Sequence, residues 1–165
     1  MVLDKYPVKS IQNVSLGGGL KTLITGGPWQ AKIMKVSGVD LTLDDVENTI
    51  LRPIYGDNRV HYTVNCASVG CPNLAAEAYT GAKLEAMLEA GAKAFINSPR
   101  GVAIEGDKIK ASSIYDWFKA DFGGSEATVI AHLNKYASPE LKEKINKIGK
   151  IASYDYDWTL ADAKK

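Results

Sequence analysis

Apolar residues recur at three- and four-residue steps through Leu84, Met87, Leu88, Ala92 and Phe95, with Lys83, Glu85, Glu89 and Lys93 on the other side. That spacing predicts an amphipathic helix over about 82–97, entered at Thr80 and stopped by Ser98-Pro99-Arg100-Gly101. Val129, Ile130 and Leu133 mark a second helix over 126–136, begun at Ser125. Leu141, Ile145 and Ile148 mark a third over 139–148, where Ser138 is the cap and Pro139 fills the first helical position. Its remaining positions are polar, which places it at the surface. A short helix over 114–120 carries Trp117 and Phe118 behind Ser112 or Ser113. Another, over 43–51, starts at Thr42, carries Asp44, Asp45 and Glu47 where the helix dipole favours acids, and ends at Pro53.

Two-residue alternation marks the strands. Residues 32–36 and 39–43 predict a hairpin about Ser37-Gly38, and 102–104 with 108–110 predict another across Gly106-Asp107. From Arg59 to Asn65, Val60, Tyr62 and Val64 would face one side and Arg59, His61 and Thr63 the other. Residues 151–158 predict a closing strand. Gly17-Gly18-Gly19 and Gly26-Gly27 are turns; no Gly-Lys-Ser/Thr follows either, so neither is a phosphate loop. These elements predict one α+β domain over 1–165. Its mostly antiparallel sheet draws on the Lys32, Val39, Arg59, Val102, Lys108 and Ser153 regions, with helices packed around it.

Composition narrows the function classes. The 165 residues are 45% apolar and 24% charged, as in ordinary globular chains, so disorder is not expected. A net charge of +1 and the lack of a basic cluster interleaved with aromatics argue against a nucleic-acid partner. No apolar run approaches the ~20 residues that span a bilayer, and the first residues lack the apolar core of a signal peptide, so membrane insertion is not expected.

Chemistry is concentrated between His61 and Pro72, which hold both cysteines, Cys66 and Cys71, and one of the two histidines. Three readings compete there. In a cysteine hydrolase or acyl transferase, Cys66 or Cys71 is the nucleophile, His61 the base, and Asn65, Asp116 or Asp121 its orienting partner. In a structural reading, Cys66 and Cys71 are joined in a disulfide across a turn containing Gly70. Metal binding is the third, but the cysteine spacing is not that of a zinc knuckle, and His132 lies far along the chain. No metal or other cofactor is expected. Arg52 and Arg59 flank the preceding turn and, with Asn65, are candidates to hold a carboxylate-bearing ligand; pairing with Glu47 and Asp57 is the competing outcome. The partner expected is a small molecule, a peptide or a protein, its identity open.

Several segments carry a resemblance. They are Leu41 to Pro53, Arg59 to Ser68 and Cys71-Pro72-Asn73-Leu74, then Tyr79-Thr80, Tyr115-Asp116-Trp117-Phe118, Asp121-Phe122 and Tyr156-Asp157-Trp158-Thr159-Leu160. In this order they resemble the bacterial domain of unknown function family numbered 547. The resemblance implies a location in the periplasm or cell envelope. It also implies a distant similarity to transglutaminase and papain-like cysteine hydrolases, in which a strand histidine faces a helix. Members carry an upstream helical region, rich in aromatics and Asn, that nothing in this sequence matches. The chain is therefore expected to correspond to the C-terminal part of that domain.

Overall fold

The computed structural model describes residues 6–14 and 28–162. Both Gly-rich turns expected at 17–19 and 26–27 lie outside the described residues. The chain divides into two compact units: one of residues 1–56, 66–69 and 157–165, the other of residues 57–65 and 70–156.

In the first unit, β1 (Met34–Val36) and β2 (Val39–Leu41) form the expected hairpin, antiparallel, with Lys35 opposite Asp40. Its turn uses Ser37 at φ 50° and Gly38 at φ 83°, the two successive left-handed residues that suit a tight hairpin. A helix follows and is capped as the sequence predicts: Thr42 Oγ1 accepts from Asp45 N–H, and Asp45 Oδ2 accepts from Thr42 N–H, each at 2.9 Å. The helix does not stop at Pro53. It widens into a π-helix over Asp45–Tyr55 with Pro53 inside, and ends at Gly56 in the left-handed conformation. Proline lacks an N–H and its ring crowds the carbonyl one turn back; a wider turn relieves that crowding where an α-helix would break. In the same unit, residues 67–69 lie against 159–161. Val69 N–H donates to Thr159, Ala161 N–H donates to Ala67, and Ser68 and Leu160 form an antiparallel bridge.

The second unit holds a sheet in the order β3 (Val102–Glu105), β4 (Lys108–Ser112), β5 (Ile151–Asp155). β3 and β4 are antiparallel, whereas β5 runs parallel to β4. The single sheet expected from six regions is thus corrected to two small sheets among the described residues, mostly antiparallel. Around the larger one pack α1 (Leu84–Ile96), α2 (Ile114–Trp117), α3 (Glu126–Tyr136) and α4 (Pro139–Ile148). α3 begins with a reciprocal Ser125–Thr128 capping box, and α4 with Ser138 accepting from Leu141 N–H. After α2 the chain tightens into a 3-10 turn, Lys119–Phe122, so the helix expected over 114–120 is split in two.

The core of this unit is one cluster. It includes Phe95 and Ile96 of α1, Ile109 and Ala111 of β4, Tyr115 and Phe122, Leu133 of α3 and Ile145 of α4. Ile96, Ile109, Leu133 and Ile145 are completely buried. Burying each such aliphatic side chain contributes about 1.5–3 kcal/mol before the entropy of ordering is counted.

The segment 59–65 is the main correction. It is not a strand. Residues Asn58–Tyr62 form a 3-10 helix in which Val60, His61 and Tyr62 are all buried. Two local side chains impose the winding. Asp57 Oδ1 accepts from Arg59 N–H at 2.9 Å, and Thr63 Oγ1 donates to Val60 O at 2.8 Å. Three consecutive buried residues are incompatible with a strand that alternates between core and water.

Candidate functional site

Because residues 60–62 turn as a 3-10 helix, His61 and Tyr62 enter the interior in different directions. His61, only 2% exposed, stacks on Phe118 at a centroid distance of 4.2 Å and lies 5.5 Å from Phe122. Its Nε2 is 2.8 Å from Asp121 Oδ2. Phe118, Asp121 and Phe122 all belong to the chain just after α2, so one short turn supplies both the ring stack and the carboxylate. Asp121, one of the orienting partners considered for His61, is thus within hydrogen-bond distance of its ring. Asp116 instead pairs with Lys119 at 2.8 Å.

Tyr62 points into a second buried network. Its hydroxyl is 2.8 Å from Nε2 of His132 on α3 and 3.3 Å from the Tyr115 hydroxyl. Burial, reinforced by the Lys135 cation, pushes His132 down to about 4, so at neutral pH its ring is uncharged. Tyr62 donates its one proton to the Tyr115 hydroxyl, so a neutral His132 protonated at Nε2 donates to the Tyr62 oxygen. Burial likewise raises Tyr62 and Tyr115, which keeps both hydroxyls protonated. This pairing of His132 with the 3-10 helix was not expected from the sequence, where the two segments are seventy positions apart.

No cysteine is free: Cys66 and Cys71 stand at disulfide distance. That closeness is what the structural reading of their spacing expects. The carbonyls that follow Cys66 in the turn are held by side chains. Asn65 Nδ2 donates to Pro72 O at 2.8 Å, Arg100 Nη1 to Cys71 O at 2.8 Å, and Arg100 Nη2 to Asn73 Oδ1 at 3.0 Å. The Tyr156 hydroxyl sits 3.0 Å from Cys71 Sγ, and the Tyr156 ring lies 4.8 Å from Trp117. The Ser68 hydroxyl is 3.1 Å from Cys66 Sγ. Sequence reasoning found Asn65 but not Arg100 or Tyr156. Their signal was only that Arg100 follows a helix stop and that Tyr156 lies in a recognisable terminal motif.

Each of the two arginines expected to hold a ligand has partners within the chain. Arg59 is committed to carboxylates of its own chain: Nη2 lies 2.6 Å from Asp57 Oδ2, and Nη1 lies 2.6 Å from Glu85 Oε1 and 3.8 Å from Glu89 Oε2. Hydrogen bonds from Arg59 hold the Asp57 carboxyl below its ordinary value, and those carboxylates raise the guanidinium. Arg52 Nη1 donates to Asn48 Oδ1 one turn back in the π-helix, at 2.8 Å. Among the described residues, no group of three or more His, Cys, Asp or Glu converges as a metal centre requires.

The arrangement thus consists of a buried His61 paired with a partly exposed Asp121, a neutral His–Tyr–Tyr network and a turn with its two cysteines at disulfide distance. No curated protein matches the chain, and no solved structure does. Residues 10–96 match the family model described as "Protein of unknown function, DUF547", and the chain belongs to that family.

Proposed function

We propose that this domain is a non-catalytic binding module of the bacterial envelope, with the Cys66–Cys71 turn as its rigid recognition element. The observation that carries the reading is the state of the cysteines: neither is free, so no thiolate is on hand to attack a substrate. Further support comes from the His61 side chain, which at 1% exposure cannot reach an incoming acyl group and acts as a clamp on the turn after α2. The hydrogen bonds of Asn65 and Arg100 to the turn remove backbone freedom before any partner arrives, which lowers the entropy cost of binding. A disulfide persists in an oxidising compartment, which supports an envelope location. The partner is a small molecule, a peptide or a protein of that compartment.

One observation favours a second reading. His61 and Asp121, 2.8 Å apart, have the geometry of a base and its orienter, as a cysteine hydrolase or acyl transferase distantly like transglutaminase and papain would need. The readings part on thiol chemistry. The native protein is treated with a maleimide without reductant, and its mass is compared with that of the reduced, unfolded chain. The binding module predicts no native adduct and two adducts after reduction. Native labelling of either cysteine, together with hydrolysis of a p-nitrophenyl ester that is lost in His61→Ala, would establish the hydrolase instead.

A further inference from the structure

A cleft of about 690 Å³ opens in the second unit where β4 and β5, which run parallel, both begin. Small-molecule sites fall in the range of about 300–1,000 Å³. Three pieces of chain line the cleft: the β3–β4 turn with Glu105, Asp107 and Lys108, the exit from α4 with Ile148 and Lys150, and the start of β5. Gly149, at φ 73°, ends α4 and turns the chain into β5, so Ile148 and Ile151 reach the cleft from either side of that bend. Ile151 pairs with Ile109 but Ser153 with Lys110, which leaves Ala152 without an opposite residue on β4. Such an irregularity bends a strand, and bulges recur beside functional sites.

The charges around this cleft do not balance. In the β3–β4 register Glu105 lies opposite Lys108, yet its carboxylate takes Lys110 instead, at 2.6 Å. The acid across from Lys108 is therefore already engaged. Among the described residues, neither the Lys108 nor the Lys150 ammonium has a hydrogen-bond or ion-pair partner, and nor has the Asp107 carboxylate. With Glu105 neutralised by Lys110, two lysines against Asp107 leave a surplus of one positive charge. The geometry points to a binding site for a small monocarboxylic acid with an apolar body, its carboxylate drawn to Lys108 and Lys150 and its carbon chain lying against Ile148 and Ile151. One exposed cation holds an anion weakly in water. Two cations on one cleft, beside aliphatic surface, add burial of the carbon chain to the charge. Asp107 repels a second carboxylate on the ligand, so a dicarboxylate gains less than its charge suggests. None of these residues belongs to the Cys66–Cys71 turn, and the site stands independently of the role proposed for that turn.

The test is an amide NMR titration of the full chain with sodium hexanoate, run beside acetate, hexanol and succinate. Hexanoate should give saturable shifts centred on Lys108 and on residues 150–153. Acetate, which lacks the chain, should bind at least about tenfold more weakly, and hexanol and succinate should also bind more weakly than hexanoate. Lys108→Gln and Lys150→Gln should each weaken hexanoate binding about two- to fivefold, and the double variant should lose saturable binding. Both lysines are exposed, so the variants should keep the parent spectrum away from the cleft. Asp107→Asn supplies a gain rather than a loss: it should tighten succinate more than hexanoate. Shifts that fail to saturate, spread over lysines across the surface, appear equally with hexanol, or survive the double substitution would overturn the inference.

Discussion

His61 Nε2 and Asp121 Oδ2 meet at 2.8 Å although sixty residues separate them in sequence. Their contact ties the 3-10 helix Asn58–Tyr62 to the turn Lys119–Phe122, and the Phe118 ring closes over the imidazole. If the pair is a structural clamp, Asp121→Ala should destabilise folding by about 2 kcal/mol, the usual worth of a hydrogen bond with an ionised partner. Urea denaturation measures this directly. A double-mutant cycle sharpens it: once His61→Phe has removed the partner, Asp121→Ala should cost much less. Equal costs in both backgrounds would show that the two side chains act independently.

The buried His132 predicts a limb in the pH dependence of stability. Its value is depressed from 6.5 to about 4 in the folded chain, so the unfolded chain binds the proton more tightly. The contribution of neutral His132 is therefore complete above pH 6.5. It falls as pH drops towards 4, and no further loss comes from this residue below that. A shift of this size corresponds to about 3 kcal/mol between the two ends of the window. The Asp57 carboxylate, held below 3.8 by Arg59, adds its own loss only at more acidic pH. Denaturation midpoints of the parent and His132→Gln from pH 7 to 4 test the assignment. The slope between those limits should flatten in the variant.

How much of this was legible in the sequence depended on where the decisive contacts lie. The bounds of α3 and α4 follow from Ser125, Ser138 and Pro139, which cap helices through atoms only three residues away. The two hairpins were legible for the same reason: their turns carry Ser37-Gly38 and Gly106. The segment 58–62 misled because Val60 and Tyr62 alternate as in a strand, while the caps at Asp57 and Thr63 and burial of the intervening His61 wind it the other way. Pro53 misled because it usually ends an α-helix, and a π-helix accommodates it. Of the site, the closeness of the two cysteines was readable from their spacing. Arg100 at the Cys71 carbonyl and His132 at Tyr62 depend on tertiary packing and leave no local pattern.

Gly101 lies where the chain leaves α1 for β3, against the backbone of α1. A Cβ there would sit 2.1 Å from the Phe95 carbonyl oxygen and 3.0 Å from Ile96 Cα, both main-chain atoms that cannot rotate away. Gly101→Ala should therefore cost about 3 kcal/mol or more by overpacking. Gly106 makes a useful contrast. It has φ 63° in the β3–β4 turn, but a Cβ there meets nothing within 4 Å. Gly106→Ala should cost only about 1 kcal/mol, from backbone conformation alone. Guanidinium midpoints of the two variants should fall in that order.

Arg59 separates a ligand clamp from a structural fork. Its side chain is 13% exposed and its guanidinium reaches three carboxylates, two on α1 and one at the entry to the 3-10 helix. Asp57 is the tighter partner: its two oxygens take hydrogen bonds from Nε and Nη2 at 2.6–3.1 Å. Lysine has one compact ammonium and cannot reproduce that fork while also reaching Glu85. Arg59→Lys should accordingly destabilise the fold by about 1–2 kcal/mol, through lost charge-assisted hydrogen bonds. Asp57→Asn in the Arg59→Lys background should then add little. High salt should weaken the arm to exposed Glu85 more than the shielded pairing with Asp57. A ligand clamp predicts the reverse pattern: a near-neutral effect on stability, and NMR shifts of the Arg59 Nε–H on adding citrate or acetate. With its fork already occupied by Asp57 and Glu85, the Arg59 resonance should stay where it is.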